Sequence, residues 1–126
     1  MAKYIQYFRR KIVHNCSGAD PENIYGEQVD AGFVDMYRRI SIENETNGYD
    51  KLRLGIAIGK EFYPFEEQTE PGKGILYWTT NQLQILEGER PQIQVVDCDE
   101  GDKINIFFEG YTLRAEDAAN WNLKSS

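Results

Sequence analysis

Leu52, Leu54, Ile56 and Ile58 alternate strictly with Arg53, Gly55, Ala57 and Gly59. Side chains that repeat every second residue share a face only when the backbone is extended and pleated. This stretch is therefore a strand with one large apolar face and one small or polar face. Small residues on the second face mark a bend or let another backbone approach closely. The same period recurs through most of the chain after residue 33. Met36, Arg38, Ile40 and Ile42 form one face of an earlier strand, with Tyr37, Arg39 and Ser41 on the other; Arg38 interrupts the apolar series. Ile75–Thr80, Leu83 with Ile85, Ile93 with Val95, and Ile104, Ile106 and Phe108 through Tyr111 and Leu113 supply further strands. Phe62-Tyr63-Pro64-Phe65 reads as a strand end broken by proline, and 66–73 as a polar loop. Pro91 places the strand that follows it at an edge or a bulge.

Turn formers separate these runs: Asn44 to Gly48, Pro71-Gly72, Glu87-Gly88-Glu89 and the acidic Asp97 to Asp102. No segment is long enough for a crossover helix. The expected fold is all-β, an antiparallel β-sandwich of jelly-roll or immunoglobulin-like type. Residues 33–114 form the sandwich, and 115–126 form a tail with one short helical turn between Ala115 and Leu123. Residues 1–32 differ in character. A strand from Tyr4 to Val13 has no uniformly apolar side, and His14 to Asp30 is rich in turn formers. This part reads as an extended N-terminal arm or long loop, with an ordinary first strand as the alternative.

The chain has 126 residues, enough for one domain with a modest core. Its formal net charge of −7 is unevenly placed. Residues 1–63 carry nine Lys/Arg against nine Asp/Glu, and 64–126 carry five against twelve. Such an acidic body is repelled by phosphate backbones, so nucleic acid is not an expected partner. Arg9, Arg10 and Lys11 are the one basic cluster. No apolar run is long enough for a membrane helix and no secretory signal opens the chain, so a soluble protein made in the cytoplasm is expected, without a membrane partner. Cys16 and Cys98 are too few for a disulfide framework; reduced thiols fit that origin, and whether the two pair is left open.

Catalytic chemistry finds little support. His14 is the only histidine, so every two-histidine metal site is excluded within the chain. His14-Asn15-Cys16 has the residues of a half-site or a nucleophile pair, but no orienting group is visible. The acidic groups Glu66-Glu67, Glu87/Glu89 and Asp97–Asp102 fall in or beside turns, where carboxylates are hydrated and their pKa values stay ordinary. The 97–102 segment resembles a calcium loop but lacks its distal glutamate. Gly55 to Gly59 lies in a strand, with no phosphate loop or following helix. We expect no enzyme, no metal and no cofactor.

Ile40-Ser41-Ile42-Glu43-Asn44, the Leu52–Ile58 strand, Tyr77-Trp78 ahead of Leu86-Glu87-Gly88-Glu89, and Gly101 through Gly110 resemble the small β-sandwich structural proteins of tailed bacteriophages, in particular capsid decoration (cement) proteins. The resemblance spans most of the chain after residue 33 at the level of fold. It implies a virion structural protein that binds a repeating lattice such as the major capsid protein, at junctions between subunits and often as a homo-oligomer, a trimer for example. The expected contact residues are Tyr4, Tyr7, Phe8, Arg9, Arg10 and Lys11 of the arm. On that reading, removing residues 1–15 leaves a folded body that no longer attaches. The alternative is a carbohydrate-binding sandwich in which Tyr63, Tyr77 and Trp78 stack on sugar rings.

Overall fold

The computed structural model describes residues 5–47, 51–69, 77–79 and 82–117. Nine strands lie among them: β1 (Ile5–Asn15), β2 (Glu22–Tyr25), β3 (Phe33–Asn44), β4 (Lys51–Ile58), β5 (Glu61–Thr69), β6 (Tyr77–Thr79), β7 (Leu83–Ile85), β8 (Arg90–Val96) and β9 (Lys103–Arg114). A single helical turn follows at 115–117; the rest of the expected C-terminal turn lies outside the described residues. The strands form two antiparallel sheets. Sheet A has the order β1-β9-β3-β6, with β7 pairing the other end of β3, and sheet B has the order β2-β8-β4-β5. Because β6 and β7 lie along one edge of β3, they act as one interrupted strand. With β6 and β7 counted as one, successive strands cross between sheets except at the β4–β5 hairpin, and this winding is that of a jelly roll rather than an immunoglobulin-like sandwich.

The apolar faces meet as alternation requires. Leu52, Leu54 and Ile56 of β4 pack with Ile93 and Val95 of β8 against Ile40 and Ile42 of β3 and Ile104, Ile106 and Phe108 of β9. Ile42, Ile93, Ile104 and Ile106 are fully buried, and each such side chain contributes about 1.5–3 kcal/mol relative to exposure. Ile58 ends its strand and is exposed.

Four expectations are corrected. First, Arg38 does not share a face with Met36, Ile40 and Ile42. The β3–β9 register shifts between Tyr37 and Arg39, making Arg38 the extra residue of a bulge. The bulge turns Tyr37 inward beside Ile40 and puts Met36 on the outer face with Val34 and Leu113. Second, proline does not end β5. The strand runs on through Thr69, and Phe65 is the extra residue between Pro64 and Glu66. An edge strand has no partner on one side to miss the proline N–H. Third, β8 is interior although it contains Pro91. The β2 ladder stops at this proline, whose carbonyl still accepts from the Gly26 N–H at 2.9 Å.

Fourth, of the two readings of the N-terminal region the ordinary first strand describes β1, and the turn-rich stretch after it is not all loop. β1 pairs with β9 from Ile5↔Leu113 to Asn15↔Lys103, and the turn-rich stretch after it contains β2, paired with β8. Phe8 and Ile12 pack on the core from β1, and Ile24 and Val29 are part of it.

Two outcomes follow from this packing. A Cβ at Gly55 would sit 2.0 Å from the Tyr63 carbonyl oxygen across the β5 bulge, so Gly55→Ala should lower the unfolding free energy by about 1–3 kcal/mol in urea titration. Removing residues 1–15 should abolish the cooperative unfolding transition followed by circular dichroism, because it strips the partner from one side of β9.

Candidate functional site

Odd-numbered residues of β1 and β9 point away from the core, and their register builds a continuous outer face on sheet A. Tyr7 lies opposite Tyr111, with ring centroids 6.1 Å apart at 58°. Arg9 faces Glu109, which on its other side is paired in register with Arg39 of β3. Lys11 faces Phe107 and holds its ammonium 5.3 Å from the ring centroid. The bulge leaves Arg38 exposed near this row.

Two shallow depressions follow the face. One, of about 450 Å³, is lined by Tyr7, Phe8, Arg9, Arg38, Glu109 and Gly110. The other, of about 260 Å³, includes Arg9, Lys11, Arg39 and Phe107 among its walls. Arg9, Arg10, Lys11, Arg38 and Arg39 thus line the two depressions, with Glu109 common to both, on a chain whose net charge is −7. Tyr7 is 72% exposed and Phe107 37%. Aromatic bodies set among arginines and a lysine form a surface suited to a carboxylate-bearing protein partner.

The six expected contact residues divide by the pleat. Tyr7, Arg9 and Lys11 stand on the outer face, and Tyr4 lies outside the described residues. Phe8 and Arg10 stand on the inward side of the pleat, and each also forms part of the wall of one of the two depressions. The Phe8 ring meets Tyr37 edge-on at 5.2 Å. Arg10 stacks 3.8 Å above the Phe8 ring and donates to Asp35 Oδ2 at 3.1 Å and to the Tyr37 hydroxyl at 3.0 Å. Thr112 Oγ1 donates to the other Asp35 oxygen at 2.7 Å. Burial pushes the Tyr37 phenol well above its ordinary value, so it stays neutral beside the Arg10–Asp35 pair.

Tyr63 is 43% exposed, with its hydroxyl donating to Glu61 Oε2 at 2.6 Å. Tyr77 and Trp78 pair through their backbones with Ile42 and Ser41 of β3, and their side chains lie outside what is described. The outer-face residues that reading the sequence did not single out are Arg38, Arg39, Phe107, Glu109 and Tyr111. Their alternation was visible; the long-range pairing that sets them beside β1 was not.

At the opposite end of the sandwich, His14 does not meet Cys16. Its Nε2 lies 2.7 Å from Glu22 Oε1, and the same carboxylate accepts from the Ser17 backbone N–H at 3.0 Å and its hydroxyl at 3.0 Å. Cys16 contacts Cys98 instead. In the acidic turn, Asp102 accepts from Asn44 Nδ2 at 3.0 Å, Asn47 Nδ2 at 2.6 Å and the Asp99 N–H at 2.9 Å. Amide donors thus serve both oxygens of the most buried carboxylate of the loop. Among the described residues, no three His, Cys, Asp or Glu side chains gather as metal ligands, and no helix is long and apolar enough to cross a membrane.

No protein-family profile matches the chain, and no curated protein matches it significantly by sequence. Its fold is similar to that of a chain from Bacillus endospore appendages, described as a novel family of disulfide-linked pili. The TM-score is 0.51 at 10% identity, over 90% of this chain and 91% of that one. Looser likenesses are to PirA, with TM-score 0.48 and 9% identity over 86% of this chain and 95% of that one, and to a family 29 carbohydrate-binding module, with TM-score 0.40 and 11% identity over 86% and 74%. At such identities the likeness to the pilus chain is one of fold.

Two buried carboxyls should shape the acid response. Burial opposes the charge of Glu22, but the His14 and Ser17 hydrogen bonds outweigh it and hold the carboxyl below its usual range. Burial likewise opposes Asp102, and the donors from Asn44, Asp99 and Asn47 hold it low. A folded pKa below the unfolded one stabilises above the unfolded value, and that share is lost as pH falls through the folded one. Stability should therefore decline once pH drops below about 4. Glu22→Gln should cost about 1–2 kcal/mol at neutral pH and flatten this decline in denaturant titrations across pH.

Proposed function

We propose that this chain is a non-enzymatic structural subunit that attaches to, or helps to build, a repeating protein assembly through β1 and the outer face of sheet A. The observation that carries the reading is an eleven-residue terminal strand whose outward Tyr7, Arg9 and Lys11 run into a cationic, aromatic face on an otherwise acidic domain. A strand at the end of a sheet offers main-chain hydrogen bonds to an incoming strand, and alternate side chains supply specificity. Charge opposite to that of the body orients the partner and hinders face-to-face pairing of two identical patches. Many weak copies on a symmetric lattice hold tightly through avidity.

In its specific form the reading makes the assembly a virion. The chain would then decorate the head or tail surface at junctions of a lattice such as the major capsid protein, as a homo-oligomer such as a trimer. The likeness in fold to a chain of disulfide-linked pili fits the broader idea that a sandwich of this kind serves as the repeating unit of an assembly.

The test is to purify the full chain, measure its mass by analytical ultracentrifugation, and image it by electron microscopy alone and mixed with virion shells lacking their surface proteins. The expected result is discrete oligomers that cosediment with the shells. Arg9→Glu with Lys11→Glu should weaken cosedimentation roughly tenfold or more and leave the circular dichroism spectrum unchanged, since both side chains are exposed. Fibres formed by the chain alone would favour self-assembly over decoration. A monomer that binds no shell and forms no fibre would overturn the reading.

A further inference from the structure

Cys16 and Cys98 are the chain's only cysteines and stand 82 positions apart, yet their sulfurs lie 3.1 Å from each other in the core. Cys16 follows the last residue of β1, and Cys98 sits in the turn joining β8 to β9. Their side chains meet because the two backbones are already tied together. The Cys16 N–H donates to the Asp102 carbonyl and the Gly101 N–H to the Cys16 carbonyl, each at 2.8 Å, prolonging the β1–β9 ladder beyond Asn15↔Lys103. Asp20 adds a third tie by accepting from the Asp97 N–H at 3.1 Å. Both residues are buried, at 4% and 8% exposure.

We propose that Cys16 and Cys98 form an intrachain disulfide that staples the end of β1 to the β8–β9 turn when the chain meets an oxidising environment. The sulfurs need to approach by about 1 Å to reach bonding distance, with no strand re-paired. The oxidant is a low-molecular-weight disulfide. One protein thiolate attacks it, expelling a small thiol and forming a mixed disulfide. The second protein thiolate then attacks the first cysteine's own sulfur in that mixed disulfide and expels the other small thiol. One S–S bond breaks and one forms; the two protons lost by the cysteines end on the two small thiols, so the cysteine pair is oxidised and the reagent reduced.

Burial pushes both thiols above their ordinary range, which makes the folded, reduced pair a poor nucleophile. Exchange therefore proceeds during folding or through openings of this end of the sandwich. The same burial shields the finished bond from reductants.

The inference is independent of what the chain assembles with. The experiment takes the full chain, unfolds and refolds it with oxidised and reduced glutathione, and compares it with chain kept in dithiothreitol. The expected product has lost two hydrogens by intact mass, yields a Cys16–Cys98 cross-linked peptide, and runs as a monomer on a non-reducing gel. Its thermal midpoint should exceed that of the reduced chain by roughly 10 °C. Cys98→Ala, and Cys98→Ser as a second variant, should each abolish the difference between the two conditions. The inference is overturned if both thiols still alkylate in denaturant after the oxidative refold, if the bond joins two chains, or if the oxidised chain melts no higher than the reduced one.

Discussion

Sheet A depends on β9, which carries β1 on one side and β3 on the other along nearly its whole length. Its inward residues, Ile104, Ile106 and Phe108, are fixed by the core, and Gly110 lets two neighbours close over it. A Cβ there would lie 2.1 Å from the Met36 carbonyl oxygen and 2.9 Å from the end of the Phe8 ring. With the inward set determined, a period of two leaves no freedom in the outward set. Asn105, Phe107, Glu109 and Tyr111 must face away, and antiparallel register then dictates what stands beside them. The cationic face is thus a consequence of how the core is packed.

The bulge at Arg38 reconciles the two demands. Without it, continued alternation from Ile40 would send Arg38 and Met36 inward and Tyr37 out. One extra residue puts Tyr37 in the core, where it meets Phe8 and Phe108 edge-on at 5.2 and 5.3 Å, and leaves Arg38 and Arg39 both exposed. The inward rotation also brings the Tyr37 hydroxyl to Arg10 and Asp35. A buried charge is tolerated there because its partners are in hydrogen-bonding range.

Much of the sandwich was legible from local pattern: the β4 alternation, the acidic turn before β9 and the short runs at Leu83 and Ile93 all lie where their residues indicated. The misreadings share a physical origin. Arg38, Phe65 and Pro91 each occupy a place where a ladder shifts register or ends, and such breaks are set by the strand opposite. The stretch 14–30 looked like loop because its turn formers are dense, yet Glu22 to Tyr25 pairs as a strand across some seventy positions of sequence. β1 looked only partly apolar for a related reason. Its inward side alternates Phe8 and Ile12 with Arg10 and His14, and those two polar residues find Asp35 and Glu22 from elsewhere in the fold. The basic run Arg9–Lys11 was visible locally, but its pairing with Phe107, Glu109 and Arg39 and the cysteine contact had no local signature, since each joins segments far apart in the chain.

The charges on β1 bear on more than partner choice. A long terminal strand is a template for indiscriminate pairing, and one common safeguard is to set charged side chains along it. Arg9 and Lys11 do this on the outer face, so two identical β1 edges approaching one another bring like charges together. A strand carrying carboxylates at matching positions meets no such penalty and gains attraction as well. On the proposed reading, the residues that discourage random aggregation are also the ones that would select an acidic partner, and a single pair of side chains would serve both ends because the repulsive and attractive cases differ only in the sign of the incoming charge.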